Sequence, residues 1–63
     1  MDGSRLKEVR KTENITQKEL AQMLDLNVNT ISSYEAKRRN PSIKVLEEIA
    51  DLFNVSTDYL LGR

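Results

Sequence analysis

The sequence of 63 residues contains no cysteine, no histidine and no tryptophan, with one proline and two glycines. Without cysteine there is neither a disulfide nor a thiolate metal site, and such a chain fits a reducing compartment. Without histidine, cysteine or a glycine-rich nucleotide loop, an enzyme would depend on serine, lysine or carboxylates, and none of these is arranged for catalysis. We therefore expect a protein that is not an enzyme and that uses no cofactor and no metal.

Long apolar segments are also missing. No apolar run approaches the length of a membrane span, about 18 residues, and no stretch has the pattern of a signal peptide. We therefore expect a cytoplasmic protein with no membrane partner. A chain of this size buries only about 60% of the surface that it exposes when unfolded, so its stability is marginal without a partner.

The formal net charge is zero, but the charges are unevenly distributed. Residues 5–44 contain nine Lys and Arg against five Asp and Glu, a surplus of four positive charges. Residues 45–63 contain four Asp and Glu against one Arg, a surplus of three negative charges, and Asp2 balances the total. A chain polarised in this way can turn one face towards phosphate and keep the other away from it.

The central segment, about residues 16–36, predicts two short helices joined by a tight turn. Thr16 is followed three residues later by Glu19, which is the capping-box pattern of a helix start. Asn27 can cap the second helix, and Asp25 is interpreted as a turn residue between the two. This arrangement is a helix-turn-helix. Its apolar residues can share one interior, with a small residue where the helices cross: Leu20, Ala21, Leu24, Leu26, Ile31 and Tyr34.

The first helix is predicted over residues 5–13, after a frayed start in which Asp2 or Ser4 can act as a cap. Asn14 follows it, and asparagine tolerates the left-handed backbone of a helix end. The central pair is predicted to form helices over the following ranges: 17–24 and 28–36.

The acidic C-terminal part predicts two more helices. Ser42 caps a helix that runs to Phe53, and Pro41 prevents continuation from upstream. Ser56 caps a short helix over 57–61, which ends at a glycine. The longer helix has an apolar stripe that we expect to form the centre of the core: Ile43, Leu46, Ile49, Ala50 and Phe53. The sequence therefore predicts one all-α domain of five helices, residues 1–63.

Three runs of residues, T-Q-K-E-L-A, I-S-S-Y-E and S-T-D-Y-L-L-G, together resemble the phage repressor and Cro type of helix-turn-helix family, also called the XRE family. The resemblance covers Arg5 to Gly62. It implies a compact five-helix bundle of the lambda-repressor-like type in a bacterial or phage-encoded protein. The family often has glycine at three positions that are occupied by other residues here: Asn14, Asp25 and Lys37. A left-handed backbone is unfavourable for lysine, so we expect the end of the third helix, or the loop after it, to differ from that of the family.

The resemblance implies that the third helix enters the major groove of DNA. Asn29 is the strongest candidate for base recognition because an amide can pair with an adenine edge, and Val28 can contact a thymine methyl group. Asn27 either reads a base or is used in capping. The candidates for base reading are Asn27, Val28, Asn29, Ser32 and Ser33.

Contacts to the DNA backbone are expected on both sides of this helix. Gln17 lies at a helix N-terminus, which favours anions, although its side chain can instead reach a base or brace Asn29. The polar loop after the third helix can follow a phosphate strand or can simply be solvated. The candidates for backbone contact are Gln17, Lys18, Thr30, Lys37, Arg38 and Arg39.

The resemblance further implies an ion pair between Arg10 and Glu35, which would tie the first helix to the end of the third. It also implies a homodimer whose third helices lie about one helical turn (~34 Å) apart on a pseudo-palindromic operator. The candidates for the dimer interface are Val55, Tyr59, Leu60 and Leu61; alternatively, the last three all belong to the core.

Together these features predict sequence-specific binding of double-stranded DNA by a transcriptional regulator, a repressor that acts by occupying its operator. Two other classes stay open. One is a protein-interaction module, such as an antitoxin or anti-repressor, which the zero net charge favours and the basic loop opposes. The other is the DNA-binding part of a longer regulator. No small-molecule ligand is evident.

Overall fold

A computed structural model describes residues 1–63 as five helices with no strand. These are α1 (Gly3–Thr12), α2 (Gln17–Leu24), α3 (Val28–Glu35), α4 (Ile43–Phe53) and α5 (Thr57–Leu61). The prediction of an all-α fold with five helices is confirmed. None of the helices has the length and apolar character that would let it span a bilayer.

Side-chain caps begin the helices. The Thr16 hydroxyl accepts the Glu19 N–H at 3.1 Å, and the Glu19 carboxylate accepts the Thr16 N–H at 2.9 Å, which completes the predicted capping box. Ser42 and Ser56 cap α4 and α5 as predicted. Each cap satisfies a backbone N–H that has no partner within its helix, so these helix starts are set by local sequence.

The prediction of a frayed start before the first helix is wrong. Asp2 caps α1, and its own backbone N–H donates to the Leu60 carbonyl of α5 at 2.8 Å. Gly3 is buried against the C-terminal end of α3, where a Cβ would collide with the Tyr34 carbonyl oxygen and lie 2.7 Å from the Glu35 carbonyl oxygen. The start of the chain is therefore held by two distant helices, which no local pattern could indicate.

Four residues other than glycine have a left-handed backbone. Asn14 and Asp25 take it at the ends of α1 and α2, as expected for turn residues. Asn54 takes it at the end of α4, and Lys37 takes it with a φ of 63°. Because lysine lacks the short polar side chain that lets asparagine and aspartate hydrogen-bond locally, this conformation costs roughly 1 kcal/mol at Lys37. The helix before it, α3, ends at Glu35, one residue earlier than predicted.

One apolar core joins all five helices. Each helix contributes one large side chain with no exposed surface: Leu6, Leu20, Ile31, Ile49 and Leu60. The stripe predicted on α4 is buried from Leu46 to Phe53, but Ile43 is 77% exposed, so the prediction is wrong at that residue. Ile43 opens α4, and the stripe extends past the edge of the core there, while half-buried Val45 packs against the core.

We expect Gly3→Ala to lower the free energy of unfolding by about 1–3 kcal/mol, because the methyl group meets the rigid end of α3. In an uncrowded helix the same change would add about 0.5–1 kcal/mol of stability, so the sign of the effect is informative. Urea denaturation followed by circular dichroism measures it, with the exposed Lys7→Ala on the same helix as control. A gain of stability in Gly3→Ala would contradict the close packing of Gly3 on α3.

Candidate nucleic-acid interface

The helix-turn-helix is formed by α2, a turn of three residues and α3. Asp25 takes the left-handed backbone after α2, and the Leu26 N–H donates to the Ala21 carbonyl at 2.8 Å, which closes the helix end. Ala21 is buried, so the two helices can approach closely. Asn27 then caps α3. The turn therefore fixes the direction in which α3 leaves α2.

The two sides of α3 differ in exposure. Ile31 and Tyr34 are buried and hold the helix on the core. Most of the residues predicted to read bases are exposed on the other side: Asn27, Val28, Asn29 and Ser32. Ser33, the remaining candidate, is half-buried. Helix α3 therefore presents a face of small and polar side chains to solvent, with Val28 as its largest apolar group.

Asn27 and Asn29 have different roles in this geometry. The Asn27 side-chain oxygen accepts the Asn29 backbone N–H at 2.8 Å. A bidentate contact with adenine needs both the oxygen and the nitrogen of an amide, and the cap already uses the oxygen of Asn27. A bidentate adenine contact is therefore open to Asn29, for which it stays a prediction, and base reading by Asn27 stays a prediction for its amide nitrogen alone.

A buried ion pair lies behind α3. The Arg10 Nε is 2.7 Å from Glu35 Oε2, and the Arg10 Nη2 donates to Glu35 Oε1 at 3.1 Å. The third guanidinium nitrogen donates to the Ile15 carbonyl at 2.8 Å. Arg10 is only 8% exposed. The ion pair that the resemblance implies is thus present, and it joins α1, the loop after α1 and the end of α3.

Gln17 belongs to the same network, a role that was not predicted from the sequence. Its side-chain nitrogen donates to Glu35 Oε1 at 3.1 Å, so Gln17 braces Glu35 rather than Asn29. Spacing along the chain carries no signal for this contact, because 18 residues separate the two. A phosphate contact by Gln17 stays a prediction for its backbone N–H at the start of α2.

The residues predicted to contact the DNA backbone fall into two groups. Lys18, Arg38 and Arg39 are exposed, as such contacts require. Thr30 is half-buried, and the Lys37 ammonium lies 3.5 Å from the carboxylate of Asp2 in the same chain. The structure therefore brings a carboxylate next to one of the predicted phosphate-binding cations.

The C-terminal residues offer less surface for a dimer than the sequence predicts. Leu60 is completely buried, so it cannot contribute to an interface, and its core position is the alternative stated above. Val55, Tyr59 and Leu61 are half-buried. The Arg5 guanidinium lies 4.8 Å from the centre of the Tyr59 ring, so the chain itself covers one ring face.

We expect Arg10→Met to lower the free energy of unfolding by about 3–5 kcal/mol, because it leaves the Glu35 carboxylate buried without its cation. The double variant Arg10→Met, Glu35→Met removes both charges and should recover most of that loss. Urea denaturation measures both, with the exposed Lys11→Met as control. A loss below about 1 kcal/mol in Arg10→Met would show that the pair behaves as a solvated one.

Known proteins are similar to this chain in sequence. The family model described as Helix-turn-helix (HTH_3) matches residues 6–60. The HTH-type transcriptional regulator ImmR of Bacillus subtilis (strain 168) is 48% identical over 61 residues, which are 97% of this chain and 48% of that protein. The immunity repressor protein of Bacillus phage phi105 is 32% identical over 61 residues, 97% of this chain and 42% of that protein.

Antitoxin PezA of Streptococcus pneumoniae serotype 4 (strain ATCC BAA-334 / TIGR4) is 34% identical over 63 residues, 100% of this chain and 40% of that protein. The chain thus spans about half the length, or less, of these three curated relatives. The matched residues 6–60 contain the capped helix pair and the network of Arg10, Gln17 and Glu35. The chain belongs to the XRE-type helix-turn-helix family, HTH_3.

Proposed function

We propose that this domain binds double-stranded DNA sequence-specifically and regulates transcription, as a repressor that occupies its operator. The observation that carries the proposal is the exposed face of α3, with small and polar side chains on a helix whose other face is locked in the core. A major groove admits a helix of this kind. Relatives named a transcriptional regulator and an immunity repressor support the proposal.

In this proposal the N-terminal half of α3 reads base edges. Asn29 pairs with an adenine through its free amide, and Val28 contacts a thymine methyl group. Ser32 and Ser33 accept or donate a hydrogen bond and discriminate less. Because these side chains are short, α3 must lie deep in the groove, and its depth is set by the backbone contacts on either side.

Those backbone contacts come from the start of α2 and from the loop after α3. The N-terminus of α2 presents backbone N–H groups and a positive dipole end, next to the exposed Lys18. Arg38 and Arg39 are exposed in the loop after α3 and can follow the phosphate strand. No catalytic step is involved, since occupancy alone blocks access to the DNA. Because bacterial DNA lies in the cytoplasm, the proposal places the chain there.

We further propose that residues 1–63 fold as one domain and that two copies bind a pseudo-palindromic operator. The exposed parts of Val55, Tyr59 and Leu61 would form the contact, with the two α3 helices about 34 Å apart. When two copies are joined, the second copy binds its half-site at a high effective concentration, so the affinity for the whole operator rises steeply without any additional contact between each copy and DNA.

A second candidate follows from the lengths of the relatives. Because this chain spans about half or less of each, the domain is also proposed as the DNA-binding part of a longer regulator, whose other part would sense a signal or bind a protein. The relative that is named an antitoxin favours a protein partner for the remaining part. The proposed role of α3 is the same whether the domain acts alone or as part of a longer regulator.

Selection from a pool of random duplexes tests the base contacts. We expect the wild-type chain to enrich a palindrome, and Asn29→Ala, Ser33→Ala to lose that enrichment while still binding bulk DNA, because phosphate contacts carry no sequence information. Each lost base contact should cost about 1–3 kcal/mol on the selected site. The control is Asn54→Gly, which removes an amide where the left-handed backbone suits glycine. If the wild-type chain enriches nothing, the proposal fails.

A salt titration on the selected duplex completes this test. We expect Arg38→Gln and Arg39→Gln to weaken binding to all sequences alike, and each to reduce the salt slope by up to about 0.9. A change of the selected sequence in either variant would instead show that the loop reads bases.

Substitution of Leu61 tests the dimer. We expect Leu61→Glu to weaken binding to the palindrome at least about tenfold, because two copies no longer bind together, and to leave binding to a single half-site unchanged. Thermal melting of the variant verifies that it is folded, since Leu61 also packs on the core. The control is Leu52→Glu on α4, a leucine that is 39% exposed. If only the control weakens palindrome binding, the interface lies on α4.

A further inference from the structure

Lys37 occupies a strained backbone position that its neighbours impose. The Lys37 N–H donates to the Tyr34 carbonyl at 3.1 Å, and the Arg38 N–H donates to the Ser33 carbonyl at 3.0 Å. This pair of bonds is the Schellman motif, which requires a left-handed residue at position 37 and is usually satisfied by glycine. Strained positions of this kind persist only where the surrounding structure imposes them, and they are frequent at functional sites.

The function of the Lys37 side chain is indicated by what faces it. Its ammonium lies 3.5 Å from Asp2 Oδ1. Asp2 is fixed in turn, because it caps α1 and donates its backbone N–H to the Leu60 carbonyl. The neighbouring Gly3 is packed against the last carbonyls of α3, so the backbone of Asp2 is held beside the loop.

The Asp2 carboxylate is charged at neutral pH. Hydrogen bonds from the Ser4 hydroxyl and the Ser4 backbone N–H lower the pKa of Asp2, and the positive charge of Lys37 lowers it further. A carboxylate that is charged at neutral pH thus stands beside a loop of three consecutive cations, Lys37 to Arg39.

We propose that Asp2 holds the Lys37 ammonium in the free protein and competes with a DNA phosphate for it, so that Asp2 limits the strength of backbone binding without touching DNA. This inference rests on the proposed function. An ammonium has three donors, and an exposed ion pair contributes little free energy, so the exchange from carboxylate to phosphate is easy. Since phosphate contacts are independent of sequence, Asp2 weakens binding to every duplex to a similar extent.

The test is Asp2→Asn, which removes the charge but keeps the α1 cap, because asparagine caps as well as aspartate. We expect binding to the selected duplex and to a random duplex to become about two- to fivefold tighter at physiological salt. We also expect a steeper salt slope, because Lys37 then neutralises a phosphate fully. The control is Asp51→Asn on α4, which makes the same charge change in the acidic half and should alter affinity much less at physiological salt.

Lys37→Gly separates competition for Lys37 from general repulsion of DNA by Asp2. Glycine suits the left-handed backbone, so this variant stays folded. We expect it to bind more weakly than wild type, with a salt slope reduced by up to about 0.9. In the Lys37→Gly background, Asp2→Asn should tighten binding clearly less than in the wild-type background. An equal gain in both backgrounds would overturn the inference, since Asp2 would then act by repulsion alone.

A measurement without DNA tests the pairing of Asp2 with Lys37 independently of the proposed DNA binding. Titration of the Asp2 carboxyl by NMR should give a higher pKa in Lys37→Gly than in wild type, and an unchanged pKa would overturn the pairing of Asp2 with Lys37. If the wild-type chain binds DNA and Asp2→Asn leaves affinity unchanged, the inference alone is overturned. If the wild-type chain binds no duplex, the proposed function is overturned and the competition with phosphate is overturned with it.

Discussion

The arrangement of α3 depends on one buried carboxylate. Glu35 accepts hydrogen bonds from Arg10 of α1 and Gln17 of α2, and Arg10 reaches on to the loop before α2. A buried charge without partners is strongly unfavourable, so the last residue of α3 is held where its partners meet. In a chain with so small a core, this polar network fixes the direction of α3, which apolar packing of Ile31 and Tyr34 alone would leave less specified.

A second constraint acts at the other side of the same helix end. The start of α1 packs on the last carbonyls of α3 through Gly3, and the loop then turns sharply through the left-handed Lys37. Because Glu35 and Gly3 both belong to these contacts, the end of α3 is fixed by α1 twice, by an ion pair and by close packing. The basic loop therefore leaves α3 in one direction, which the proposed contact with a phosphate strand would require.

The sequence predicted the local features well and the tertiary ones poorly. The bounds of α2 and α5 and the caps of four helices could be predicted because a cap is an interaction between residues two or three positions apart. Burial at Gly3, exposure of Ile43 and the bond from Gln17 to Glu35 could not, because each depends on which distant helix lies nearby. The pair of Arg10 with Glu35 came from the resemblance alone, since 25 residues separate the two.

The formal net charge of zero is a poor guide to the electrostatic field around the basic loop after α3. Three of the acids in the N-terminal two-thirds are directed at partners within the chain. Glu35 faces Arg10, Glu19 accepts the Thr16 N–H, and Asp2 caps α1 beside Lys37. Lys18, Arg38 and Arg39 remain exposed without a carboxylate within ion-pair distance. Because nearby charges dominate at physiological salt, the field at the loop is set by where the acids are bound rather than by how many there are.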